Sequence, residues 1–261
     1  MGGMSRPDPK PQKVRVDQLL VDRGLAESRS KAQALVMAGL VFRGEQRLDK
    51  PGMSIPADGT LDVRGQDHPW VSRGGLKLDH GIEHFGFDPR GRTCLDIGAS
   101  TGGFTDVLLQ RGARTVYAVD VGHGQLAWKL RTDSRVIVME KTNARRLDKT
   151  AIADPIQAIV CDASFIGLST VLPAGMALAE DGAWMIALIK PQFEAGRDQV
   201  GKGGVVRDPA VHAAVCEKTE DWLSAQPGWR TLGITESPIT GPEGNKEFLI
   251  GATFTVAEIT S

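Results

Sequence analysis

Cysteine is scarce in this sequence. The three present, Cys94, Cys161 and Cys216, are odd in number and lack the spacing of a metal site, so neither a disulfide framework nor a bound metal is expected. Cys94 and Cys161 sit in apolar runs and read as small buried thiols, which suits a reducing cytoplasm. Long apolar stretches are missing as well. The longest, Ala183–Ile189, has strand length, far short of the ~18 residues of a membrane helix. The start, Met1-Gly2-Gly3-Met4-Ser5-Arg6-Pro7, has no secretory apolar segment. A cytoplasmic protein with no membrane partner is expected. Excess charge is absent too: the net charge is −1, with no global pull toward nucleic acid. Neither G-x-G-x-x-G nor G-x-x-x-x-G-K-[ST] occurs, so no pyrophosphate cradle is expected.

What is present centres on Cys94-Leu95-Asp96-Ile97-Gly98-Ala99-Ser100-Thr101-Gly102-Gly103-Phe104. It reads as a buried strand, a glycine turn and a helix start, the unit that presents ligands at the carboxyl edge of a parallel sheet. Asp96 precedes the turn. Asp120 ends the next apolar run, Val116–Val119, where an acid holds ribose hydroxyls. An adenosine ligand with an amino-acid tail and no phosphates fits this combination, and S-adenosylmethionine is such a molecule.

Further strand signals fall at 115–119, 135–139, 156–161, 182–189, 230–237 and 246–255, and helix signals at 104–111, 124–131, 168–178 and 208–225. This alternation predicts an α/β protein with a doubly wound parallel sheet. The turn-rich link Gly241-Pro242-Glu243-Gly244-Asn245 predicts an antiparallel last strand. Ahead of this body, residues 1–12 read as a disordered tail, 13–60 as a small α+β unit, 61–71 as a polar linker and 72–261 as the main domain. In the small unit Gly24 ends a short helix, Ser28 caps a second over Arg29–Ala38, and Gly39 stops it. Residues 1–60 carry 10 Lys+Arg against 7 Asp+Glu and the remainder 21 against 25, a mildly basic front on an acidic body. Leu76, Leu78, Ile82 and Phe85 mark an amphipathic helix before the glycine turn, and Lys77 lies on it.

Asp162 ends the fourth strand, Lys190 ends the fifth, and Glu247 opens the last. Carboxyl ends of parallel strands share one edge, and an antiparallel last strand starts from that edge. Asp96, Asp162, Lys190 and Glu247 are therefore expected to converge beside the ligand. For Lys190 and Glu247 alone a structural ion pair is the plainer reading; several charges at a ligand edge favour a site.

Residues 13–60 resemble the S4 RNA-binding domain through Arg15-x-Asp17-x-Leu19-Leu20, Gly24-Leu25, Ser28-Arg29-Ser30-Lys31-Ala32, Gly39-x-Val41 and Lys50-Pro51-Gly52. That resemblance implies structured RNA against the second helix, near the cations Arg15, Arg29, Lys31 and Arg43. From Ser72 onward the chain resembles FtsJ-type RNA 2′-O-methyltransferases. Over 13–257 it resembles the TlyA family, also labelled hemolysin A. The runs that carry this are Ser72-Arg73-Gly74-Gly75-x-Lys77-Leu78, Asp96–Thr105, Asp120-Val121-Gly122-His123-Gly124-Gln125-Leu126, Asp162-x-Ser164-Phe165-Ile166, Ile189–Glu194 and Gly244-Asn245-Lys246-Glu247-Phe248. The resemblance implies a Rossmann-like seven-stranded methyltransferase using S-adenosylmethionine, behind a small S4 domain. Its implied partner is ribosomal RNA or a ribosomal subunit, with cytidine as target, and a monomer is expected. The family's Lys-Asp-Lys-Glu tetrad falls on Lys77, Asp162, Lys190 and Glu247. Donor contacts fall on Ser100, Thr101, Gly102, Gly103, Phe104, Asp120, Asn143 and Asp162, beside Asp96 and Gly98 of the turn. Lys190 is the expected proton acceptor, with Lys77 and Glu247 positioning it.

One departure is His68-Pro69-Trp70-Val71, where the family's linker often carries an Arg. The glycine-rich loop Ala195–Arg207 is expected to order only on RNA. The rival readings are a non-catalytic RNA-binding or ribosome-assembly factor, a contact-dependent hemolysin, and a pseudouridine synthase suggested by Arg145-Arg146-Leu147-Asp148. Base methylation is disfavoured because Asp162-Ala163-Ser164-Phe165 lacks the prolines of an [ND]-P-P-[YFW] tetrapeptide.

Overall fold

The computed structural model describes residues 13–26, 28–44, 46–57, 60–63 and 68–256, in two compact units divided between Pro69 and Trp70. The expected tail, 1–12, lies outside the described residues, as do 64–67 of the expected linker.

The first unit runs β1 (Lys13–Arg15), α1 (Val16–Asp22), α2 (Arg29–Met37), β2 (Val41–Arg43), β3 (Gln46–Arg47), β4 (Ser54–Pro56) and β5 (Asp62–Val63). Ser28 caps α2 by accepting from the Lys31 N–H at 3.2 Å. A core of Val16, Leu19, Leu20, Ala32, Val36, Val41, Leu48 and Ile55 joins the helices to the short strands. The expected linker is partly structured. β5 pairs with β2 through Val41 and Val63, because Leu61 and Val63 turn apolar side chains to this core.

Asp17 lies fully buried in this unit and gathers polar groups around it. Arg15 donates to its two oxygens at 2.9 and 2.8 Å, Gln33 at 3.0 Å and Arg29 at 3.3 Å. Arg15's hydrogen bonds outweigh the cost of burial and hold this carboxyl far below the usual range. The Arg15 and Arg29 side chains stay about half exposed, at 49% and 51%, so two fixed guanidinium groups face outward.

The second unit holds α3 (Gly74–Phe85), β6 (Thr93–Ile97), α4 (Gly103–Gln110), β7 (Thr115–Val119), α5 (Trp128–Arg131), β8 (Val136–Met139), β9 (Ile156–Cys161), α6 (Leu168–Val171), α7 (Pro173–Met176), β10 (Ala179–Ile189), α8 (Pro191–Glu194), α9 (Pro209–Ser224), β11 (Trp229–Glu236) and β12 (Phe248–Phe254). Its seven-stranded sheet has the order β11-β12-β10-β9-β6-β7-β8. The pairs among β10, β9, β6, β7 and β8 are parallel, and β12 is antiparallel to both neighbours. The two-residue period divides the central strands between two cores. Val160, Trp184, Ile186 and Leu188 join one with Leu78, Ile82, Phe104 and Leu108 of α3 and α4. Leu95, Ile97, Ile159, Met185 and Ile189 join the other with α6, α7 and α9.

Two helices differ from expectation. In place of a helix over 124–131 only α5 forms, because Gly124 takes φ +71° and the chain turns there. The helix expected over 168–178 is broken into α6 and α7 at Pro173, which has no N–H to continue the first ladder. The loop 195–207 is also pinned at its base. Asn245 accepts from the Val206 N–H and donates to the Gly204 carbonyl, both at 3.1 Å.

Gly98 shows how tightly the turn after β6 is built. Its φ is +84°, and a Cβ there would lie 2.8 Å from the backbone of Ala163. Gly98→Ala is expected to cost about 2 kcal/mol or more, lowering the thermal midpoint by roughly 4–8 °C in a melt followed by circular dichroism.

Candidate active site

Strand register gathers the charged residues. Ile97 is opposite Cys161, and Ile189 is opposite Phe248. Gly98 and Asp162 therefore leave adjacent strand ends side by side, and Lys190 and Glu247 do likewise. Asp162 donates its N–H to the Ile97 carbonyl at 3.0 Å, closing that edge. Lys77 reaches the same place from the first turns of α3.

The four side chains meet. Lys77 Nζ lies 2.7 Å from Glu247 Oε2 and 3.8 Å from Asp162 Oδ2. Lys190 Nζ lies 2.6 Å from Asp162 Oδ1 and donates to Ser164 Oγ at 2.8 Å and to the Asp162 carbonyl at 3.1 Å. The close Lys190–Asp162 Oδ1 contact is ionic and off the hydrogen-bond direction, so Oδ1 remains a buried oxygen without a hydrogen bond, as does Glu247 Oε1. A Lys190–Glu247 pair is not what forms: each lysine takes a different acid as its close partner. Lys77, Lys190 and Glu247 are all at most 7% exposed.

A cavity of about 450 Å³ opens beside this cluster. Of the expected donor contacts, Gly98, Ser100, Asp120, Asn143 and Asp162 line it. Asp120 accepts from the Ser100 N–H at 2.8 Å and the Gly122 N–H at 2.6 Å, so both its oxygens are fixed in place. Asn143 accepts from the Arg145 N–H at 3.1 Å. Thr101 does not line it, and the buried Gly102, Gly103, Phe104 and Asp96 stand behind the wall. Gly102 leaves space filled by Leu130 and Leu126, Gly103 lies against Ser72 and Gly75, and Phe104 is core. Asp96 is fully buried and accepts from Thr105 Oγ1 at 2.6 Å, with Oδ1 unpartnered.

The family models agree with this layout. An FtsJ-like methyltransferase model matches residues 70–254 and an S4 domain model matches 14–58. The chain belongs to the FtsJ-like methyltransferase family. TlyA of Mycobacterium tuberculosis, a 16S/23S rRNA (cytidine-2′-O)-methyltransferase, is 47% identical over 244 residues, covering 92% of this chain and 89% of that protein. Hemolysin A of Brachyspira hyodysenteriae is 40% identical over 237 residues, 90% of this chain and 98% of that one. A solved structure from Streptococcus thermophilus, described as a hemolysin, is 44% identical with a TM-score of 0.72, covering 95% of this chain and 90% of that one. Among the described residues no helix is long and apolar enough to cross a membrane.

Membership in the FtsJ-like family makes S-adenosylmethionine the methyl donor. The residues present fit it. A fixed acid sits at the end of β7, and the apolar Ile97, Val119 and Ile166 line the cavity.

Several lining residues lie inside the motif runs but take no role from them. Val121 is 73% exposed, and Gln125, Ser164 and Phe165 also face the cavity. Phe165 stands three residues after the strand-end acid Asp162, inside the run Asp162-x-Ser164-Phe165-Ile166. Burial pushes the Asp96 carboxyl up to about 7, against the pull of the Thr105 hydrogen bond, with Asp162's charge adding to the rise. An unfolded aspartate titrates near ~3.9. The folded protein therefore keeps a proton that the unfolded chain releases, and this contribution to stability is lost as pH rises through about 7. Urea unfolding between pH 5 and 8 is expected to show the parent losing stability relative to Asp96→Asn, with the gap flat if burial does not shift this group.

Proposed function

We propose that this protein methylates the ribose 2′-oxygen of a cytidine in ribosomal RNA. In this reading residues 13–60 hold RNA, with Arg15, Arg29, Lys31 and Arg43 on phosphates, and residues 72–261 perform the transfer. The observation that carries it is the position of Asp162, which lines the donor cavity and also touches both lysines of the buried cluster. The relatives named as cytidine-2′-O-methyltransferases support the choice of oxygen, base and RNA. The cytoplasm, where ribosomes are made, is the expected compartment. A monomer suffices, since one chain supplies all four cluster residues.

Ser100, Asp120, Asn143 and the Gly98 turn would hold S-adenosylmethionine, which supplies an electrophilic methyl on a sulfonium. The ribose hydroxyl is a weak nucleophile, so the protein must align it and take its proton. Positioning alone is worth about 7–11 kcal/mol in well-oriented systems. Lys190 serves as the proton acceptor, Asp162 aligns it, and the Lys77–Glu247 pair braces Asp162 from the other side. A thiol nucleophile for base methylation is not at hand. Cys161 is fully buried, and that burial pushes its thiol up to about 12.

Phe165 suits the acceptor side. It is 89% exposed at the cavity mouth, backed by Phe193 at 4.9 Å between ring centroids, and held at φ +65°. A bulky residue in left-handed backbone is strained and is kept where the ring's direction matters. An exposed ring next to the reacting edge offers a face for the target base to stack on, worth about 1–3 kcal/mol.

Lys190→Ala is expected to cut methyl transfer about 100-fold or more while labelled-donor binding persists. Turnover near the parent's would end its assignment as acceptor. Mapping 2′-O-methyl sites on ribosomal RNA from cells with and without the gene should reveal cytidines modified only when it is present. Phe165→Ala is expected to raise the KM for RNA about ten-fold or more, with the donor's Kd unchanged, in steady-state assays.

A further inference from the structure

We propose that Ser164 carries the ribose proton to Lys190. The inference rests on the methyl-transfer reading above and deepens it. Lys190 is 6% exposed and does not line the donor cavity, whereas Ser164 is exposed and does. Of the three contacts around Lys190 Nζ, two are to atoms of Asp162, and the third is to Ser164 Oγ at 2.8 Å. A hydroxyl at that distance can accept from an ammonium or donate to an amine lone pair. Asp162 and Ser164 are therefore the two groups through which Lys190 meets the cavity, and Ser164 is the one that carries an exchangeable proton.

The neighbourhood fixes that hydroxyl. Phe165, next in the chain, is held in left-handed backbone at φ +65°. Three residues on, the Leu168 N–H donates to Glu194 Oε1 at 2.7 Å, tying the loop to α8, which starts directly after Lys190. Burial raises the Glu194 carboxyl above its ordinary value, against the pull of this bond. Both ends of the Ser164–Lys190 contact thus hang on one short piece of structure.

The step balances. The ribose oxygen bonds to the methyl carbon as the carbon–sulfur bond breaks and its electron pair stays on sulfur. The hydroxyl proton passes to Ser164 Oγ while the proton already on Oγ moves to Lys190 Nζ. Lys190 gives a proton to water through this hydroxyl before the transfer and regains one from it during the transfer, so it ends as the ammonium of the resting cluster, beside the Asp162 carboxylate.

The test uses the full chain, labelled S-adenosylmethionine and ribosomal subunits from cells lacking this protein. Ser164→Ala, Ser164→Thr, Lys190→Ala and the Ser164→Ala/Lys190→Ala double variant are compared under single-turnover conditions. Ser164→Ala is expected to lower the rate about 100-fold while donor and subunit affinities and the melting midpoint stay unchanged. Ser164→Thr, which keeps a hydroxyl, should recover most of the rate. The double variant should fall no further than Lys190→Ala, because the two groups act as one unit. A Ser164→Ala rate within about threefold of the parent, equal damage from Ala and Thr, or losses that multiply in the double variant would each overturn the relay. If Lys190→Ala itself keeps the parent rate, the underlying assignment of Lys190 fails. If Lys190→Ala is inactive and Ser164→Ala is active, only the relay fails.

Discussion

Asp162 touches two ammonium groups and a ligand cavity at once, and the second unit is arranged around that contact. A carboxylate there must be held by groups from several directions, because each opposite charge at this depth also needs its own neutralisation. The protein answers with two acids and two lysines, so the cluster is neutral as a set. Lys77 closes on Glu247 at 2.7 Å and reaches toward Asp162 at 3.8 Å; Lys190 closes on Asp162 at 2.6 Å. The two lysines are thereby distinguished. One is locked to a fully buried acid, and the other faces the acid that lines the cavity.

Sheet topology makes this meeting possible. β9 and β10 run parallel and release Asp162 and Lys190 at the same edge. β12 enters that edge in the opposite sense between β10 and β11, so Glu247 precedes it where a parallel strand would have carried Glu247 to the far end. The ribbon before β12 is shaped for this residue. Gly241 has no Cβ because one would overlap Glu247 Oε1. Asn245 anchors the preceding loop through Val206 and Gly204. The first unit repeats the device in a simpler form, with buried Asp17 fixing Arg15 and Arg29 while leaving both half exposed.

Much of this was legible in the sequence because it depends on period and order. The strand boundaries follow apolar runs with sharp polar ends, and the antiparallel finish follows from a link too short for a crossover helix. The convergence of Asp162, Lys190 and Glu247 follows from those two facts alone. What stayed hidden depends on side-chain reach and on single dihedrals. Register sets Lys190 beside Glu247, yet their ion-pair partners are chosen by Lys77, which arrives from a helix far away in sequence. The helix expected over 124–131 shrank to α5 because Gly124 adopts a turn that a helix propensity sum does not see. Ser164 and Phe165 lie inside a motif run, yet neither has a readable role until the structure shows one bonded to Lys190 and the other held at positive φ. Among the donor residues the motif marks a stretch, and only the fold separates Ser100 and Gly98, which face the cavity, from Phe104 and Gly103, which pack behind it.

The energetics argue that the charge cluster exists for chemistry. Replacing a buried ion network with apolar residues of equal volume is often neutral or stabilising, whereas removing one member costs about 3–5 kcal/mol. A core built for stability alone would have continued the apolar packing of Leu188 and Ile189 into positions 190 and 247. This fold instead keeps two ammonium groups at no more than 7% exposure, with Glu247 Oε1 buried without a hydrogen bond and Asp162 Oδ1 held by an ionic contact alone. Unpartnered buried acceptors are rare because each gives up the stabilisation of a hydrogen bond. A buried cluster with these costs, one of whose carboxylates lines the cavity, fits a reacting site better than a structural core.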